Sequence, residues 1–155
     1  MERDDAPFGL LLGLAYQQVV TELHEHLAAE GHTGLRPAFG YAFKLIAKEP
    51  LTIKELATRL EITHQGAAKL VDEMVAAGYV DRVPDPADGR VKRLVRTERC
   101  IALMESGHRF QEAYEKQLTD ELGEETTAAV RLALSRIIDR SDKPDGLARS
   151  LRSMP

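Results

Sequence analysis

Apolar positions along this 155-residue chain recur mostly three and four residues apart, the period of a helix with one buried face. Phe8, Leu12, Ala15, Val19, Leu23 and Leu27 make the first stripe. Asp4 and Asp5 precede it and Pro7 falls in its first turn, so a helix of about six turns is predicted over 5–30. The stretch "EGHTGLRP" interrupts it. A second helix is predicted from Pro37 to Ala47, with Phe39, Phe43 and Ile46 on one face, and Pro50 disfavours helix at Glu49. Thr52 and Glu55 have the spacing of a capping box for a short helix that buries Leu56, Ala57 and Leu60. Thr63 suits the N-cap of the next helix. There Ala67, Leu70, Val71, Met74 and Val75 form one face, and His64, Gln65, Ala68, Lys69, Asp72 and Glu73 the other. Gly78 stands where a left-handed residue would close that helix.

After Gly78 the period changes. "YVDRV" and "RVKRLVR" are rich in β-branched residues and flank the turn-rich "PDPADG", which predicts a hairpin with a projecting tip. Two helices follow, from Ile101 to about Leu122 and from Glu124 to Arg140. The second carries Val130, Ala133, Leu134, Ile137 and Ile138 on one side. Residues 142–155 offer little to bury and are expected to form a flexible tail.

The chain carries a net charge of -4, yet Arg90, Lys92, Arg93, Arg96 and Arg99 fall within ten residues beside one acid, Glu98. Two short helices and then a basic hairpin is the order of a winged helix-turn-helix. With its inner face buried, the second helix would offer Thr63, His64, Gln65 and Lys69 to a partner. Gln can read adenine edges in a major groove, Thr can hold base or phosphate, and the free N–H groups of a helix start favour phosphate. The hairpin adds Arg90, Lys92 and Arg93, and a projecting arginine suits a narrow minor groove. These residues point to double-stranded DNA.

From Leu51 to Cys100 the chain resembles the MarR family of bacterial transcriptional regulators. The likeness lies in "ELA", in the pattern "LVDxMxxxGYVxR" and above all in "DPADGR". It implies a mainly α fold: a three-helix core with a β-hairpin wing over 37–98, and dimerisation helices over 5–30 and 100–141, in a single domain of residues 1–141. It implies a homodimer on a pseudo-palindromic operator, acting as a repressor released by a small-molecule effector. It matches Asp88 and Arg90 to the family's wing, Arg90 entering the minor groove. It also matches Arg82 to an arginine after the recognition helix, with a salt bridge to Asp88 as its role. Two positions depart from the pattern: Arg96 replaces a leucine and Cys100 a glycine.

Rival readings are a winged protein-interaction module without DNA readout, which has no need of Arg90, Lys92 and Arg93 together, and an oxidant-responsive regulator acting through Cys100. In the latter, Arg99 and the nearby helix start would lower the thiol pKa. Tyr16, Arg36, Phe39, Tyr41 and Phe43 could seat an aromatic or anionic effector, or simply form core. His24 and His26, two apart on a helix, point in different directions, so no metal site is expected. Neither a cofactor nor an enzymatic activity is expected, since no phosphate-binding loop or nucleophile elbow occurs. No apolar run approaches the roughly 20 residues of a membrane span. Acids, not cations, precede the N-terminal apolar patch, and the cysteine is single. A cytoplasmic location is therefore expected.

Overall fold

A computed structural model describes residues 5–140. They form six helices and one two-stranded antiparallel sheet, and the chain divides into units 1–35 and 36–155. The predicted tail at 142–155 lies outside the described residues.

The first unit holds α1, Phe8–Ala29. The helix starts later than its acids suggest. Pro7 is its N-cap residue, with an extended ψ of 138°, and no acid lies in the first turn. The cause is local: a proline ring disfavours helical backbone at the residue before it, so the helix cannot extend back through Ala6. Along the predicted stripe Leu27 is buried and Leu12, Val19 and Leu23 are half-buried, but Phe8 is 63% exposed.

The second unit opens with α2, Pro37–Lys48, which has proline in its first turn and ends as Glu49 becomes extended ahead of Pro50. Short α3, Ile53–Arg59, starts on the expected capping box: the Thr52 hydroxyl accepts the Glu55 N–H at 3.1 Å, and the Glu55 carboxylate accepts the Thr52 N–H at 2.8 Å. Then comes α4, His64–Ala76, capped by the Thr63 hydroxyl on the Gly66 N–H at 3.0 Å. Strands β1, Val80–Pro84, and β2, Lys92–Arg96, pair with Arg82 opposite Leu94. Leu51 bridges to β2, its carbonyl accepting the Leu94 N–H at 2.7 Å.

These elements close over one apolar core. Leu56, Val71, Met74, Val80 and Leu94 are buried there. The rings of Phe39 and Phe43 lie 5.8 Å apart, and Phe43 meets Tyr79 at 5.5 Å. Burying one such side chain is worth about 1.5–3 kcal/mol. Of the two readings open for Phe39 and Phe43, this placement is the core one.

Helix α5, Glu98–Leu122, begins three residues before the expected Ile101. Thr97 accounts for the difference, since its hydroxyl accepts the Cys100 N–H at 3.2 Å and Glu98 supplies an acid for the first turn. Its first half is anchored by buried Cys100, Leu103 and Ser106. Gly123, at φ 86°, turns the chain into α6, Glu124–Ile138. An ion pair from Arg131 to Glu115, with Nε to Oε1 at 3.1 Å, ties the two helices. Yet α6 buries none of its residues, and Val130 and Ile138 are 50% and 66% exposed.

Replacing Phe43 by alanine removes the ring between Phe39 and Tyr79. Denaturant unfolding at fixed protein concentration should show a loss of about 3–5 kcal/mol. A loss below about 1 kcal/mol would show that the core closes without this ring.

Candidate nucleic-acid interface

Between α3 and α4 the chain turns at Glu61, whose φ of 52° is the only left-handed value at a non-glycine position among the described residues. The Ile62 N–H then bonds the Ala57 carbonyl at 3.0 Å, and Thr63 starts α4. Gly66 serves this start directly: a Cβ there would come within 3.1 Å of the Thr63 hydroxyl oxygen. With Ala67, Leu70, Val71 and Met74 buried, α4 turns the other way Thr63, His64, Gln65 and Lys69, all four exposed. Thr63 keeps its hydroxyl proton for a partner, because capping uses only the oxygen.

The wing is shaped by two carboxylates. Asp85 accepts the N–H groups of Ala87 at 2.7 Å and Asp88 at 3.3 Å. Asp88 accepts the Arg90 N–H at 3.0 Å, and its carbonyl accepts the Val91 N–H at 3.0 Å. Gly89 contributes less than its place in the turn suggests, for its φ is not left-handed and a Cβ there would meet nothing within 4 Å.

The candidate cations fall into two sets. Arg90 and Lys69 are exposed and make no ion pair among the described residues. Lys92 is exposed as well, and its ammonium reaches only the Gly89 carbonyl, at 3.3 Å. The other set is paired within the chain. Arg36 binds Glu73 on the outer side of α4, which takes it away from the anionic effector first considered for it. Arg82 binds Asp72, not Asp88. Strand geometry is the reason: Arg82 shares a face of β1 with buried Val80, two residues away, and that face looks toward α4 rather than the wing tip. Arg93 binds Asp85 and Glu55. Sequence reasoning passed over Asp85, although its place three residues before Asp88, ahead of a proline, is a turn signal.

The remaining candidates scatter. Tyr41 is half-buried on α2, and Tyr16 is exposed on α1 in the other unit. Cys100 lacks the exposure that the rival redox reading requires. It is fully buried, and burial lifts its thiol from 9.0 to about 11, against a smaller opposing effect of Arg96. Arg99, expected to activate it, instead lies over the Tyr79 ring at 4.9 Å. Among the described residues no group of three or more His, Cys, Asp or Glu side chains could hold a metal ion, and no helix is long and apolar enough to cross a membrane.

A helix pair whose second member projects polar residues, beside a hairpin tipped with an unpaired arginine, defines a winged helix-turn-helix protein. The model of the MarR family matches residues 36–91, which hold α2 to the wing turn. The chain has the DNA-binding fold of MarR-family transcription regulators. Transcriptional regulator Tm0710 from Thermotoga maritima is 27% identical, with a TM-score of 0.59 over 86% of this chain and 95% of its own. The reduced form of MarR from E. coli is 23% identical, with a TM-score of 0.64 over 86% and 97%. MepR from S. aureus, solved in complex with DNA, is 18% identical, with a TM-score of 0.66 over 85% and 96%. No curated protein matches the chain.

At neutral pH, iodoacetamide should modify Cys100 about a hundredfold more slowly in the folded protein than in denaturant, as its thiolate is suppressed and its sulfur enclosed. Equal rates would show an open, reactive thiol.

Proposed function

We propose that this protein is a sequence-specific DNA-binding regulator of transcription. On this reading it binds a pseudo-palindromic operator as a homodimer and acts as a repressor relieved by a small-molecule effector. One observation carries the DNA reading: Lys69 and Arg90, both exposed and without an ion pair among the described residues, stand on the outer face of α4 and on the wing tip. The MepR–DNA complex, of like fold, supports it. Gln65, exposed in the first turn of α4, is suited to a base edge, and Arg90 to a minor groove. Thr63, His64 and Lys92 complete the proposed contact surface. Arg82 serves it indirectly, by fixing α4 to β1 through Asp72.

The dimer is supported by α6. A helix with its apolar residues on one side and none of them buried calls for a cover, and a second copy supplies one. Repression and its relief by an effector follow the resemblance to the family. Relief would be a shift between conformers that differ in the spacing of the two winged units.

Affinity for a duplex selected on the protein from random-sequence DNA should fall steeply with salt, at a log–log slope of roughly -0.9 for each phosphate neutralised. A flat profile would sink the reading. Gln65→Ala should cost about 1–3 kcal/mol of discrimination at one base pair of each half-site. A uniform loss over all sequences would make Gln65 a phosphate contact. Sedimentation equilibrium should give twice the chain mass of 17.2 kDa, and a monomer at all concentrations would remove the dimer.

A further inference from the structure

We propose that Arg93 is a positioning residue of the wing and not a DNA contact. Its guanidinium ties Asp85, and through it the turn that carries Arg90, to the capping box of α3. The inference rests on the DNA-binding reading above and adds to it a connection between the wing and α3.

A guanidinium presents five N–H donors in a fixed plane. Arg93 directs them at three separate segments. Nε donates to Asp85 in the wing loop. Nη1 donates to the Pro50 carbonyl at 3.1 Å and to Glu55 Oε2 at 3.2 Å. The same Glu55 oxygen accepts the Thr52 N–H, so one carboxylate both caps α3 and holds the wing. From Arg93 the chain of hydrogen bonds continues outward. Asp85 holds the N–H groups of Ala87 and Asp88, and the Asp88 carboxylate holds the N–H of Arg90. The Asp85 side chain is only 11% exposed. Its carboxyl is held below the ordinary range, first by Arg93 and then by the Ala87 N–H. That of Glu55 is lowered chiefly by the Thr52 N–H, with Arg93 contributing. Both groups are thus ionised at neutral pH and the link is closed. These bonds take Nε and Nη1, and a phosphate that competed for Nε would displace Asp85 and release the turn that aims Arg90. Lysine, a point charge without the planar fork, does not match this set of acceptors.

The test has two arms. The first uses no DNA. Amide hydrogen exchange of the protein with Arg93→Gln should be faster at Ala87 and Asp88 by about tenfold or more, with the amides of α5 unchanged. Unchanged exchange in the wing overturns the proposal. The second arm uses a duplex selected from random-sequence DNA on the wild-type protein. Asp85→Asn removes a negative charge beside the DNA, so bulk electrostatics alone would tighten binding. Positioning instead requires it to weaken binding, by about tenfold, as Arg93→Gln does. The double variant should be no weaker than either single one, because both break the same link. The salt slope of Arg93→Gln should equal that of wild type. Tighter binding by Asp85→Asn, or a slope shallower by about 0.9 in Arg93→Gln, makes Arg93 a phosphate contact and overturns the proposal. If Arg93→Gln does not fold, Asp85→Asn carries both arms. A selection that enriches no sequence overturns the DNA-binding reading instead, and the exchange arm still decides whether Arg93 orders the wing.

Discussion

The winged unit depends on the closure at Gly78 and Tyr79. Here α4 ends, with Gly78 at φ 80° and the Tyr79 N–H bonded to the Met74 carbonyl at 3.0 Å. Here too the hairpin is stitched shut: the Thr97 hydroxyl donates to the Gly78 carbonyl at 2.7 Å, and the Thr97 N–H to the Tyr79 carbonyl at 3.1 Å. Tyr79 then buries its ring against Phe43 and under the Arg99 guanidinium. Two residues therefore set where α4 stops, where the wing begins and returns, and where α5 starts. A side chain at position 78 would put a Cβ in a left-handed backbone, with Arg99 already 3.6 Å away.

Charge works on this frame by division of labour. An acidic chain keeps most of the winged unit's arginines occupied with its own carboxylates: Arg36 on Glu73, Arg59 on Glu49, Arg82 on Asp72, Arg93 on Asp85 and Glu55. Exposed pairs of this kind add little stability singly. Their value lies in direction, since they fix the two outer sides of α4 and the base of the wing. Lys69 and Arg90 are left exposed without an ion pair among the described residues.

Local rules made much of this legible in the sequence. The capping box at Thr52 and Glu55, the Thr63 cap and the Gly78 closure each depend on residues within a few positions of one another, and all three stand where the pattern placed them. The MarR-like segment was legible through "DPADGR". What escaped depends on distance along the chain. Arg93 meets Pro50 and Glu55 across 43 and 38 residues, and nothing in a list of cations distinguishes it from Arg90. Arg82 reads as a partner for Asp88 until the alternation of β1 turns it toward Asp72. The start of α5 was expected just after Cys100; the Thr97 cap moves it back, and the thiol lies in the core.

Thr97 has a mechanical consequence as well. Its hydroxyl caps α5 and grips Gly78, so the long helix is bolted to the point where α4 ends. Helix α5 has 25 residues, which makes it a lever arm of roughly 38 Å. A tilt of about 5° at its distant end would carry α4 and the wing through about 3 Å, comparable to the rise of one base pair.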